Sequence, residues 1–424
     1  MARGSGDVIM PPLMSSATPL AVFWLLYLGG LGVIFPFQSL YFSENVALLG
    51  TQLGLVLAVR PLVGILAQPL WGQLADRTGS RARVLVMLAA GTALGYLLLP
   101  QAKTFPVLLA AMAFSAIFSS AAMPMATSVC MAALGARAAE AFGRLRVWGT
   151  VGFLVLVVGF PFLLHWAQAA RELVREPGGP SEPGLELIFY VAAAISAAAA
   201  LVAWRLPRDG AMAVRSRRGD LRLLLRHRPY RRLLYFVFLA HLCHQAPIHL
   251  FAPFIVAHGG SIDTVSRMWI PMLLLEIPLV YYSGAIVARI GVRGLLAIGV
   301  LADGSRWLVC SLVGDLSVMY ALALLHGVVI AGLFVGSALY VESVVPERLR
   351  STGQGLLAMI GFSCAGVISN VGGGLLLEHF GVDAPYRIGG IGALLLGAAL
   401  PLILPRAERP EEGSTSSGPT PSPS

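Results

Sequence analysis

Four ionisable side chains stand inside otherwise apolar stretches, and their types suit proton and solute chemistry. Glu276 lies in Leu-Leu-Leu-Glu-Ile-Pro; Asp303 and Arg306 lie three residues apart, on one helical face; His326 follows in the next stretch. An ionisable group in hydrocarbon is costly, so each is a functional candidate. A carboxylate shielded from bulk water takes up a proton more readily than one in solvent, whereas a guanidinium keeps its charge. A proton site whose occupancy follows the approach of an arginine is what coupling a proton to a solute requires. The competing reading is a permanent Glu276–Arg306 or Asp303–Arg306 pair that only joins helices, with His326 bonded to a neighbouring carbonyl.

A second group is polar rather than charged. At 100° per residue, His241, His244, Gln245 and His249 share an arc of about 140°. Such an arc belongs against water, not lipid. His-x-x-His is a zinc spacing, but no acid or thiolate shares the arc, so cavity lining is the preferred reading and no metal is expected. Trp148, Thr150 and Phe153 supply a stacking face and a hydroxyl suited to a sugar or a nucleobase. Arg60, Gln38 and Asn370 are further polar groups in apolar surroundings, with Glu44 as a candidate partner for Arg60.

The elements that must hold these groups are membrane helices. The chain is 57% hydrophobic and 12% charged, with a mean hydropathy of +0.78, whereas a soluble domain is about one quarter charged. A bilayer core of ~30 Å needs about 20 apolar residues per helix. Twelve runs meet that length or approach it, at 20–42, 50–75, 83–100, 105–130, 146–166, 186–206, 232–257, 265–288, 294–312, 316–341, 351–377 and 385–405. The first is too long for a signal-peptide core and reads as a spanning helix. With the N-terminus inside, inner segments hold about 23 of the 30 Lys and Arg, against five in outer loops (Lys103, Arg171, Arg175, Arg267, Arg387). Both termini are therefore expected in the cytoplasm, with the chain in a bacterial-type inner membrane. The charge of +9 sits in short loops, which argues against nucleic acid; the lipid bilayer is the expected partner and the chain is expected to be a monomer. Cys130, Cys243, Cys310 and Cys364 have no CxxC spacing, so no disulfide framework is expected.

The runs divide into equal sets. Gly72-Gln-Leu-Ala-Asp76-Arg77-Thr-Gly79-Ser-Arg81 recurs 212 positions later as Gly284-Ala-Ile-Val-Ala288-Arg289-Ile-Gly291-Val-Arg293, losing only Asp76 from its Gly, Asp and Arg pattern. Two halves with six apolar helices and one such loop each describe a transporter built by duplication. The expected organisation is an all-α membrane protein of twelve transmembrane helices in two pseudo-symmetric six-helix bundles. The N-terminal bundle covers 1–206, a basic cytoplasmic linker 207–231, the C-terminal bundle 232–405, and a disordered tail 406–424.

The Gly72–Arg81 loop resembles the signature of the major facilitator superfamily, and the likeness extends over helix count, central linker and degenerate second copy. The resemblance implies two bundles around a midplane cavity, working by alternating access. Asp76, beside a helix end, would pair with arginines or a neighbouring helix N-terminus and latch the inner side shut. The residues of this latch are Gly72, Asp76, Arg77, Gly79 and Arg81, with Glu342 pairing to Arg289 or Arg293 as its counterpart. Phe142-Gly-Arg144-Leu-Arg146-Val-Trp148-Gly-Thr150-Val-Gly-Phe153 is similar to the oligosaccharide:proton and nucleoside:proton symporters. Val345-Pro-Glu-Arg348-Leu-Arg350-Ser-Thr-Gly-Gln354-Gly resembles the nucleoside group and the phenylpropionate-permease-like branch. In the resembling symporters a helix-eight glutamate, a helix-nine arginine and a helix-ten histidine serve coupling, which implies that role for Glu276, Arg306 and His326. Counterparts of Arg146 contact substrate. The lactose-permease pattern is incomplete, because Val329 replaces its second helix-ten acid and Pro124-Met-Ala-Thr127 its helix-four glutamate.

The expected function is proton-coupled symport of a small polar organic solute, with nucleosides, sugars and aromatic acids all open. A proton gradient drives it and no cofactor is implied. A drug or metabolite exporter of the same superfamily is the first alternative, and a non-transporting receptor or scaffold the second. No nucleophile–base pair, metal set or phosphate loop points to an enzyme, and Gly372-Gly-Gly374 reads as close helix packing.

Overall fold

The computed structural model describes residues 13–134, 138–206 and 220–404. The first residues, the beginning of the predicted linker (207–219) and the tail fall outside them. Among the described residues there is no strand. With no water available in a bilayer core, a helix is the way a chain segment satisfies its own backbone.

The first half contains α1 (Thr18–Asn45), α2 (Gly50–Thr78), α3 (Arg81–Gln101), α4 (Phe105–Leu134), α5 (Phe142–Ala170) and α6 (Leu187–Ala203). The second contains α7 (Arg228–His249), α8 (Ile262–Tyr281), α9 (Ser283–Val313), α10 (Leu316–Val344), α11 (Glu347–Phe380) and α12 (Ala384–Ile403). Nine of these are long and apolar enough to cross a membrane. A tenth span forms if α7 is joined to Phe251–Ala257 across a 52° bend. The remaining two are α6, short at 17 residues, and α8, which carries Asp263, Arg267 and Glu276. A short helix, Asp220–Arg226, occupies the predicted linker, where Arg348 binds Asp220 at 3.0 Å.

The halves repeat one packing plan. α1 packs on α5 and α6, and α3 on α6; correspondingly α7 packs on α11 and α12, and α9 on α12. Between halves, α2 meets α11 and α5 meets α8. The repeated loops share a glycine at positive φ, though the rest of the backbone turn differs. Gly79 has φ 63° and Gly291, 212 positions on, has φ 72°, a region that glycine enters without a Cβ penalty.

The core shows how the halves are joined. The face without the repeated loops is called the far face. Toward it, a single cluster mixes the halves: Val33, Phe37, Leu53 and Phe160 with Phe251, Trp269, Trp307 and Tyr386. Toward the Asp76 face, the core splits into a cluster around Trp24 and Leu85 in the first half and another around Tyr230 and Val341 in the second. The bundles are fused at the far face and separate at the other.

Candidate functional site

Between the halves lies a cavity of about 350 Å³, within the usual range of a small-ligand site of roughly 300–1,000 Å³. The first half contributes Leu28, Leu31 and Phe35 from α1, Arg60 from α2, and Arg146, Thr150 and Phe153 from α5. The second contributes His244, Gln245 and His249 from α7, Trp269 and Glu276 from α8, and His326 and Phe334 from α10. Helical periodicity explains the α8 wall: Trp269, Leu273 and Glu276 stand at i, i+4 and i+7 on one face. A local π-helical stretch, Ile330–Val335, shapes the α10 wall, as such bulges often do at functional sites.

Charge is divided between the walls. Arg60 and Arg146 belong to the first half, and among the described residues no carboxylate lies within ion-pair distance of either. The Arg146 guanidinium stands 5.1 Å from the Trp24 ring centroid, a cation–π distance. Glu276 faces from the second half, its Oε2 3.9 Å from His326 Nε2. His249 Nδ1 pairs with Asn370 Oδ1 at 2.7 Å, and Asn370 Nδ2 donates to the Gly366 carbonyl at 2.7 Å. An aromatic group joins both halves: Phe35 and Phe153 lie 5.7 and 5.2 Å from Trp269, and Trp269 lies 5.7 Å from His326.

Asp303 and Arg306 do not line the cavity. Asp303 is fully buried and meets His244 Nδ1 at 2.9 Å through Oδ1, so His244 separates it from the chamber. Arg306 is 1% exposed, and its guanidinium lies 3.6 Å over the Trp307 ring. None of its three nitrogens has a hydrogen-bond partner among the described residues, and neither Asp303 nor Glu276 is in ion-pair contact with it. The fixed Glu276–Arg306 or Asp303–Arg306 pair is therefore absent from this conformation.

Two other expected lining residues also fall elsewhere. His241 is buried with Nδ1 3.0 Å from the Val237 carbonyl, because Phe334 and Phe362 close over its ring at 5.0 and 4.4 Å. Trp148 is 48% exposed and outside the lining. Gln38 does not line it either. The partner expected for Arg60 is engaged elsewhere, since Glu44 accepts the Ser181 backbone N–H at 2.7 Å.

At the loops, Asp76 and Arg81 stand 3.8 Å apart within one half. Gly72, half-buried, and Arg77, exposed, lie in the last turns of α2. Glu342 pairs not with Arg289 or Arg293, which flank the Gly291 kink in α9, but with Arg350 at 3.2 Å in α11. Among the described residues, polar contacts that cross between halves toward the far face are Thr51 N–H to Glu378 at 2.7 Å, Ser266 Oγ–H to the Val157 carbonyl at 2.8 Å, and His165 to Asp263 at 3.6 Å. Glycines permit the closest approach there, where a Cβ on Gly54 would sit 3.0 Å from Gly374 Cα.

Sequence reasoning overlooked Phe35 and Trp269. Its search was for charge in apolar stretches, and Trp269 differs from core tryptophans only in sharing a face with Glu276.

Comparison with known proteins gives a consistent result. The family model described as "MFS_1 like family" matches residues 17–388. The maltose permease of Geobacillus stearothermophilus is 28% identical over 401 residues, covering 92% of this chain and 95% of the permease. YwbF of Bacillus subtilis (strain 168), an uncharacterized transporter, is 25% identical over 388 residues, covering 91% and 93%. Among solved structures, the nucleoside transporter NupG superposes with a TM-score of 0.75 at 16% identity, covering 93% of this chain and all of that one. A bacterial homolog of the human lysosomal transporter Spinster, in an inward-facing, unoccupied conformation, gives 0.69 at 16%, covering 93% and 96%. At those identities the structures establish a shared fold alone.

Proposed function

Because the chain belongs to the MFS_1 like family, whose members here are membrane transporters and not enzymes, we propose that it is a proton-coupled symporter that carries a small carbohydrate through the cavity between its halves. The observation that carries this reading is Glu276, the one carboxylate of the lining among the described residues, placed opposite Arg60 and Arg146 with His326 beside it. A carboxylate sheltered in a narrow chamber is a natural proton acceptor. The arginines supply fixed positive charge whose distance from Glu276 changes when the halves rock.

The lining suits a sugar. Trp269, Phe153 and Phe35 offer ring faces to the apolar side of a pyranose, while Thr150, Gln245, His244 and His249 offer hydrogen bonds to hydroxyls. The maltose permease relative points the same way. With the far face fused and the other open, this conformation corresponds to the inward-facing state if both termini lie in the cytoplasm. Asp303 and Arg306 then form a buried layer behind His244, which communicates with the chamber through that imidazole. The Asp76–Arg81 loop would act in the opposite state, when the two inner faces meet.

The test is uptake of labelled maltose into proteoliposomes. An inward proton gradient should drive accumulation, and Glu276→Gln should abolish it while equilibrium exchange continues. Accumulation unchanged in Glu276→Gln removes the carboxylate from coupling. Failure of any mono- or disaccharide to be carried, with flux of another solute, removes the carbohydrate assignment.

A further inference from the structure

Two carboxylates with no part in the cavity close the far face. Glu378, near the end of α11, reaches the first half, where its Oε2 accepts the Thr51 backbone N–H at 2.7 Å in the first turn of α2. Glu182, in the connection between α5 and α6, reaches the second half. Its carboxylate lies against the Ile262 amide, at the first residue of α8. His165, near the end of α5, stands 3.6 Å from Asp263 in the same turn of α8. Gly50 and Ile262 begin α2 and α8, and they are 212 positions apart, the offset that relates the two repeated loops. The two receiving helix starts are thus equivalents under the duplication, although the carboxylates come from different positions in the two halves.

Glu182 is held for this position. Glu44 accepts from the backbone N–H and the hydroxyl of Ser181. Asn45 Nδ2 donates to the Glu182 carbonyl at 3.0 Å, and Gln168 Nε2 donates to Glu182 Oε2 at 3.3 Å and to the Pro183 carbonyl at 3.0 Å. Four side chains of the first half therefore aim one carboxylate at the second half, and Glu182 is only 9% exposed. A helix N-terminus presents unpaired N–H groups and the positive end of its dipole. A carboxylate held there favours the arrangement in which the two meet, and both contacts span the seam that must part.

We propose that Glu182 and Glu378 are reciprocal latches of the far face, each extending from one half onto the first turn of the other half's second helix, and that both must release before the cavity opens there. The inference rests on alternating access and not on proton coupling.

The experiment uses the full chain in lipid nanodiscs, with ketone-linked spin labels at the exposed positions of Trp166 and Phe380, so that the native cysteines stay in place. Double electron–electron resonance then reads the ratio of open to closed far faces. Glu378→Gln should raise that ratio about two- to five-fold, the scale of one charge at a helix terminus; Glu182→Ala, which deletes the contact whether or not the carboxyl is ionised, should raise it as well, and the double variant should multiply the effects. Glu378→Lys should exceed Glu378→Gln. Thr51→Pro deletes the N–H that Glu378 uses and is tolerated in a first helical turn; it should reproduce Glu378→Gln and stands in if a glutamate variant does not assemble. Unchanged distances in the double variant, or in Thr51→Pro, overturn the proposal. A transporter in which Glu276→Gln leaves accumulation intact would still show the latch effect, so the two readings fail separately.

Discussion

His244 Nδ1 stands 2.9 Å from Asp303 Oδ1, and it is the imidazole, not the carboxylate, that reaches the cavity. Asp303 has no exposure, and its Oδ2 has no hydrogen-bond partner among the described residues. Truncating one partner of a buried pair leaves the other charge uncompensated, at a cost of about 3–5 kcal/mol. His244→Ala should therefore lower the thermal midpoint in detergent well below that of Asp303→Asn, which retains an amide for the imidazole. Equal midpoints would show that the pair contributes little.

Arg306 poses the opposite case. A buried guanidinium without a hydrogen-bond acceptor is weak scaffolding, and an apolar side chain of similar volume is often neutral or stabilising there. Arg306→Met should keep thermal stability within about 2 kcal/mol, the scale of the lost stacking on Trp307, yet abolish transport. A loss of stability as large as that of His244→Ala would show that the residue props helices apart instead.

The two repeat glycines separate backbone strain from crowding. A Cβ at Gly79 or at Gly291 would meet nothing within 4 Å. Gly79 has φ 63° and ψ 9°, a left-handed conformation that asparagine also enters at modest cost. Gly291 has φ 72° and ψ 163°, a region essentially restricted to glycine and costing about 1–3 kcal/mol for other residues. Gly291→Asn should thus destabilise more than Gly79→Asn in a thermal-shift assay. The reverse order would mean that the Asp76 loop carries a constraint beyond its dihedrals.

Much of the architecture was legible because lipid leaves few options. Each apolar run had to be a helix, and the 212-residue repeat made the two halves equivalent. The bend near Leu250 was not evident, since the run at 232–257 continues through it and Pro247 is one of many prolines in apolar stretches. Periodicity grouped His244, Gln245 and His249, and the structure sets all three on one wall of the cavity because one helix fixes their directions. It failed for His241, whose exposure depends on Phe334 and Phe362 from other helices. Partners across helices were harder still: Glu276 and His326 do approach, while Glu342 selects Arg350 and Glu44 selects Ser181. Register between helices is set by packing, which sequence spacing does not encode. Trp269 was missed because an aromatic ring in an apolar run carries no cost that would mark it.

The shared cluster at the far face has a thermal consequence. Opening that face hydrates side chains such as Phe37, Phe160, Phe251 and Trp307, which are at most 5% exposed in the closed form. Wetting apolar surface carries a positive heat-capacity change. The balance between the two orientations should consequently bend with temperature instead of following a straight van't Hoff line, and cooling should loosen the seam.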